Sequence, residues 1–341
     1  MKSAKNITEL AAWLNLSVAT VSRVLNGKGD SYRISEAPSK RVFEAAKEFN
    51  YLPNRIARGL KLEKTDTLGL IIPDIANTFF ASIAKTIELE SRRNGYSIIL
   101  CDSLDDENTE SELLNLLAGR KVDGIIIAPV GHNHQNIKRL QEDGMPIIVI
   151  DRYFPGISIP YITTDNYSGS LAAVEYIISQ GHQKIACIQG VKNTSPNTDR
   201  VRGYTEALKK HGIPFDPSLI IGNDFGEHNG YSSTQRLMNH TDKPTAIFTL
   251  SNLITLGSLR ALKESGLRIP EDISIVSFDE QPYSAFLECP MTTIEQPRDE
   301  IGALAVRTVL QMMSNKDSIT DIQILIKPTL IKRDSVKKIT P

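Results

Sequence analysis

From Thr67 onward, short β-branched apolar runs alternate with stretches of helical periodicity. That alternation restricts the possible folds more than any other feature of the chain. Residues 67–73 (TLGLIIP), 96–101 (YSIILC), 124–128 (GIIIA) and 146–151 (PIIVID) are strand-length runs. Helical stretches fall between them, from about 80 to 94, near 107–119 and near 134–142. Strand–helix alternation predicts a parallel sheet covered on both faces, which explains why these runs are apolar throughout. The pattern restarts after Thr164, with helices at 167–180, 199–211, 229–239 and 255–265. Strands at 184–189, 219–222, 246–250 and 273–278 separate them. Two successive Rossmann-like halves are expected. Ligands in such sheets bind beyond the carboxyl ends of the strands, so two facing lobes would enclose a cleft.

The N-terminal part has a different texture. Residues 6–50 read as three short helices. Ile7, Leu10, Ala11 and Leu14 share one face of the first; Val18, Val21 and Leu25 share one face of the second; Val42, Ala45, Ala46 and Phe49 share one face of the third. Ser17 occupies an N-cap position, and Asn15 lies where a short inter-helix turn needs a left-handed residue. Two short helices joined this way make a helix-turn-helix. Trp13 is expected in the core of this unit. The next segment, 53–61 (PNRIARGLK), is short and broken by Gly59, so it is marginal as a helix alone and reads as a linker that folds in company.

Charge separates the two parts. Residues 1–64 hold twelve basic and six acidic side chains, whereas the whole chain carries a net charge of -1. A basic head on an acidic body fits a polyanionic partner met through one end. Cys101, Cys187 and Cys289 are too scattered for a disulfide framework or a zinc site, which suits a reducing compartment. No apolar leader and no run of 18 apolar residues is present, so a cytoplasmic protein without a membrane partner is expected. The loop pair His132 and His134 lacks a third ligand nearby and reads as solvated. His182 and His211 stand beside glycines at helix ends, where a cation suits the dipole, and the run 105–107 (DDE) suits a helix start. Phosphate-cradling and nucleophile-elbow motifs are absent. No cofactor, no metal and no enzymatic activity are expected.

Residues 7–26, ITELAAWLNLSVATVSRVLN, resemble the helix-turn-helix of the LacI/GalR family of transcriptional regulators. The pattern S-x-x-T-V-S-R-x-L-N is met by Ser17, Thr20, Val21, Ser22, Arg23, Leu25 and Asn26. Residues 41–61, RVFEAAKEFNYLPNRIARGLK, resemble that family's third helix, Y-x-P-N joint and hinge, and the match runs on to LIKRDSV at 330–336. Asn15 replaces the usual turn glycine, and the loop 27–34 (GKGDSYRI) is longer than usual, as in the branch holding the fructose-type and sucrose-type repressors. The resemblance implies an all-α headpiece at 1–52, a hinge at 53–64, and a periplasmic-binding-protein-like α/β core at 65–341. The core's N-lobe would take 65–163 plus 293–325, and its C-lobe 164–292 plus 326–341.

The resemblance also implies roles. Val18, Ala19 and Arg23 match base-reading positions of the recognition helix; two offer apolar contact and the arginine can grip guanine. Thr8, Ser17, Thr20, Ser22 and Asn26 are placed for phosphate contacts that fix register. Lys28, Arg33 and Arg55 would add salt-dependent affinity. Leu60, flanked by Ala57 and Asn54, matches a leucine wedged into a minor-groove step, which requires a homodimer on a near-palindromic site in double-stranded DNA. In the cleft, Asn77, Phe79, Phe80, Asp151, Arg152, Arg200, Phe225, Ser251, Asp279 and Gln296 match the positions that hold a sugar. Ser251-Asn252 stands where an aspartate is common, which puts the hydroxyl pattern in doubt. The effector expected is a sugar or sugar phosphate of the sucrose/fructose group, with ribose second.

Two other classes were open to the residues. A plain sugar-binding module lacks a reason for the basic headpiece. An enzyme on the same scaffold lacks any nucleophile–base set.

Overall fold

The structure is a computed structural model describing residues 6–25, 27, 29–51, 64–314 and 322–339. The chain divides into two compact units, Met1–Thr65 and Asp66–Pro341.

In the first unit, helices α1 (Ile7–Leu14), α2 (Val18–Leu25) and α3 (Glu36–Glu48) enclose a small core of Leu10, Ala11, Leu14, Val21, Val24, Val42, Ala45 and Phe49. Asn6 caps α1 by accepting from the Glu9 N–H at 2.9 Å. Asn15 ends it in the left-handed region at φ 55°, as the turn between helices demands. Ser17 accepts from the Thr20 N–H at 3.0 Å and so caps α2. Two expectations need correction. Val18 is exposed and Val24 takes its place in the core, because the buried stripe of α2 runs Val21, Val24, Leu25 at spacings of three and four. Trp13 is half exposed, lying edge-on to Phe49 at 4.9 Å rather than within the core.

The second unit holds two six-stranded sheets. The first lobe comprises β1 (Thr67–Ile72), α4 (Thr78–Arg93), β2 (Ser97–Asp102), α5 (Glu107–Gly119), β3 (Gly124–Ile127), α6 (Gln135–Glu142), β4 (Ile147–Ile150) and β5 (Tyr161–Thr164). The second comprises α7 (Asn166–Ser179), β6 (Ile185–Ile188), α8 (Ser195–Lys210), β7 (Ile220–Ile221), α9 (Glu227–Met238), β8 (Ala246–Thr249), α10 (Asn252–Glu264), β9 (Ser274–Phe278) and β10 (Thr292–Glu295). The chain then returns to the first lobe with α11 (Arg298–Ser314) and β11 (Gln323–Ile326), and ends on β12 (Thr329–Ile331) in the second sheet.

Sheet order is β11-β5-β4-β3-β1-β2 in the first lobe and β12-β10-β9-β8-β6-β7 in the second. All neighbours are parallel except β12 against β10. Burial on both faces is explicit in β1: Leu68, Leu70 and Ile72 pack with α4 and α11, while Ile71 packs with Leu114 and Leu117 of α5. In the second lobe α9 and α10 approach closely at glycines. A Cβ on Gly257 would stand 1.9 Å from the Glu227 carbonyl oxygen, and one on Gly230 would stand 2.0 Å from that of Ile254.

Helix starts differ from the pattern-based reading. α8 begins at Ser195 rather than 199, with Pro196 in its first turn, and α10 begins at Asn252 rather than 255 behind a Ser251 cap. The N-terminal turns of both helices carry polar residues that face the neighbouring lobe, so apolar periodicity did not mark them. The lobe boundary expected at 293 falls inside β10. That strand pairs with β9 and β12 of the second sheet, so the crossing into α11 comes after Glu295.

Candidate functional site

The carboxyl ends of both sheets face each other where the lobes meet, in the place expected for a cleft, and the residues there come from every part of the core. Asp151 follows β4 and Asp279 follows β9; both lie at positive φ, 62° and 81°, which turns each side chain off its strand end. Asp151, Arg152, Arg200, Asp279 and Gln296 are all buried, none more than 8% exposed. Burial of charge at this depth requires partners.

Arg200, on α8, donates from Nε to Asn166 Oδ1 at 2.8 Å and from Nη1 to the Leu250 carbonyl at 2.6 Å. Its guanidinium carbon stands 3.8 Å from the Phe278 ring centroid. Burial pulls its pKa down, against Asp279 and Asp151, which raise it. Burial pushes the Asp151 carboxyl up to about 6, opposed by Arg152 and Arg200 and reinforced by Asp279 and Asp105. Arg152 pairs with Asp105 at 3.3 Å and lies 5.8 Å from the Phe225 ring. Phe225 fits because residue 190 is glycine: a Cβ there would stand 2.2 Å from the ring.

Polar contacts cross the cleft directly. Asn252 Nδ2 donates to Asn77 Oδ1 at 3.0 Å and to Thr78 Oγ1 at 3.2 Å. Thr78 Oγ1 donates to Gln281 Oε1 at 2.6 Å. Tyr153 donates its N–H to Ser195 Oγ and its hydroxyl to Asp199 Oδ2, both at 2.8 Å. The crossing segments join the same network. Thr164 donates to Gln296 Oε1, Gln296 donates to Asp279 Oδ1, and the other Asp279 oxygen accepts the Asn252 N–H at 3.1 Å. A continuous chain of hydrogen bonds therefore runs from crossover to strand end to the opposite lobe.

Of the positions singled out from sequence, Asn77, Asp151, Arg152, Arg200, Phe225, Asp279 and Gln296 converge here. Asn77 and Ser251 double as N-caps, accepting from Phe79 N–H at 3.0 Å and Ile254 N–H at 3.1 Å. The Ser251 hydroxyl also donates to the Phe225 carbonyl. Phe79 and Phe80 lie edge to face at 5.0 Å within the buried core of the first lobe. Sequence reasoning missed Tyr153, Thr78, Asn166, Asp199, Asn252 and Gln281 as bridging groups. It also missed Glu110 on α5, which is buried and accepts the Val130 N–H at 2.6 Å. Burial pushes this carboxyl up to about 7, against Val130 and Arg152, which lower it.

In the headpiece, Thr8, Ser17, Val18, Ala19, Arg23 and Arg33 are exposed, and Thr20 and Ser22 are partly buried. Arg23 of α2 stacks its guanidinium 4.0 Å over the ring of Tyr32, from the turn Asp30–Tyr32 in the long loop before α3. Asn26, Lys28, Asn54, Arg55, Ala57 and Leu60 lie outside the described residues, as does nearly all of the hinge. Among the described residues no helix is long and apolar enough to cross a membrane, and no group of three His, Cys, Asp or Glu side chains could hold a metal ion.

Residues 6–54 match the model of bacterial regulatory proteins of the lacI family. Residues 65–333 match that of periplasmic binding proteins and the sugar-binding domain of the LacI family. The chain is 32% identical over 332 residues to catabolite control protein A of Priestia megaterium, covering 97% of this chain and 99% of that protein. It resembles the lac repressor dimer bound to operator and the anti-inducer ONPF, with a TM-score of 0.87 at 25% identity, covering 98% of this chain and 100% of the other. It also resembles a complex of the transcriptional regulator CelR with cellobiose, with a TM-score of 0.74 at 28% identity, covering 97% and 100%.

Proposed function

Because the chain belongs to the LacI family of bacterial regulatory proteins, we propose that it is a sugar-responsive repressor whose grip on operator DNA is set by occupancy of the cleft between its core lobes. The observation that carries this reading is the convergence of Asp151, Arg152, Arg200, Asp279 and Gln296, all buried, on hydrogen bonds and charges that link both lobes and a crossover. Buried carboxylates and amides give a sugar's hydroxyls partners, and a ligand missing one of those hydroxyls leaves a buried group unpaired. Phe225 supplies an apolar ring face beside them.

Ligand entry replaces the direct contacts of Asn252 with Asn77 and of Tyr153 with Asp199, which changes the relative position of the lobes. A pair of headpieces on one operator, joined to the lobes through residues 53–64, responds to that change. Thr8, Ser17, Thr20, Ser22, Asn26, Lys28, Arg33 and Arg55 hold phosphates in this reading; Val18, Ala19 and Arg23 read bases; Leu60, with Ala57 and Asn54, enters the minor groove. The sucrose/fructose group is the preferred effector class, on the strength of the long loop at 27–34, and ribose is second.

The test begins by selecting an operator from a random duplex pool with full-length protein. Sugars and sugar phosphates are then titrated against the complex. One of them should shift operator affinity by about tenfold or more. Asp279→Ala should bind the same operator and lose that response. An Asp279→Ala variant that responds like the parent chain would refute the assignment of the cleft.

A further inference from the structure

Two buried arginines in a sugar cleft invite a phosphate ester, and the charges around them decide the matter. We infer that the cleft selects an uncharged sugar over its phosphate ester, because its two guanidiniums are already engaged by the protein and stand among more carboxylates than they can neutralise. This inference rests on reading the cleft as the effector site. Arg152 is paired with Asp105 at 3.3 Å. Arg200 spends Nε and Nη1 on Asn166 and the Leu250 carbonyl, stacks on Phe278, and stands in the field of Asp279, Asp151 and Asp199. Arg152, Arg200 and Arg202 thus stand among Asp105, Asp151, Asp199 and Asp279, so carboxylates outnumber guanidiniums around the cleft before any ligand arrives.

Hydrogen-bonding capacity points the same way. A carboxylate only accepts. Asp151 is 5% exposed, and no described side chain or backbone group donates to its carboxylate. An ionised phosphate is itself rich in acceptors and would meet acceptors here, whereas a sugar hydroxyl donates to Asp151 and can accept from a neighbour. A dianion would also compete with the contacts that Arg152 and Arg200 already make to Asp105, Asn166 and the Leu250 carbonyl.

The experiment uses the full chain and matched pairs: fructose and fructose 6-phosphate, sucrose and sucrose 6-phosphate, ribose and ribose 5-phosphate, glucose and glucose 6-phosphate. Each is measured by calorimetry and thermal shift at constant ionic strength. One neutral member should bind, with its ester at least about tenfold weaker. Inorganic phosphate should stabilise the protein no more than chloride at the same ionic strength. Asp151→Asn, which removes one charge and keeps an acceptor, should narrow the gap between the members of the pair. An ester that binds tighter than its parent, or a phosphate-specific rise in Tm, overturns the inference and leaves the cleft reading intact. Failure of every pair both to stabilise the protein and to move operator binding overturns the cleft reading together with it.

Discussion

Glu110 shows how a single residue can escape a sequence reading. It stands on an amphipathic helix among polar neighbours, where a glutamate ordinarily faces water, yet here it is buried against the Val130 N–H. Its pKa is raised from the ordinary carboxylate value to about 7. The folded state therefore holds a proton between about pH 4.5 and 7 that the unfolded chain has lost, and stability grows as pH falls through that window. Glu110→Gln keeps an acceptor for Val130 and removes the charge. It should raise the stability of the protein above pH 7 by on the order of 2 kcal/mol and flatten the rise toward pH 5, as read by denaturant titrations across pH. Arg23 poses the complementary case. Its identity was legible in the helix-turn-helix pattern, but its contact with Tyr32 was not, because the loop carrying Tyr32 has no periodicity to read. Holding the guanidinium at 4.0 Å from that ring limits its rotamers before DNA is met. Tyr32→Ala should weaken operator binding by roughly two- to fivefold while Tyr32→Phe leaves it unchanged, measured by fluorescence anisotropy. Equal loss in both variants would assign the effect to the hydroxyl.

Strands were legible at the level of elements because burial on both faces leaves no polar positions in them, as in Ile147–Ile150 and Ile185–Ile188. The boundaries that went astray are those of α8 and α10. Their first turns carry Asn197, Asp199 and Asn252, polar residues buried in the cleft rather than exposed, so the apolar stripe starts a turn late. The crossover after Glu295 was equally hidden, since pairing of β10 with β9 is a tertiary fact. The packing of α9 on α10 is set by Gly230 and Gly257, whose missing side chains let backbone meet backbone. Gly257→Ala places a Cβ against a carbonyl oxygen rather than a flexible side chain, so the helices must separate. A loss of about 3 kcal/mol is expected, seen as a lower Tm of the full chain with headpiece helicity unchanged. An unaltered Tm would mean that the helices can part at little cost.

For the molecule as a whole, the three-helix head and the doubled βαβ core followed from pattern alone. The chemistry of the cleft followed in part. Strand-end aspartates and the α8 arginine were visible as types at the right places, whereas Tyr153, Asn252 and Gln281 owe their roles to the approach of two lobes far apart in sequence. Through Thr164, Gln296 and Asp279 the cleft is joined to the crossovers between the lobes. In the proposed function a ligand that reorganises this network changes DNA affinity, and linkage then requires DNA to act on ligand affinity by the same factor. The direct test measures both quantities on one preparation: operator affinity with and without a saturating sugar, and affinity for that sugar with and without operator. The account predicts two equal factors, each about tenfold or larger. A sugar that saturates the core, as shown by calorimetry, and leaves operator affinity unchanged would contradict it.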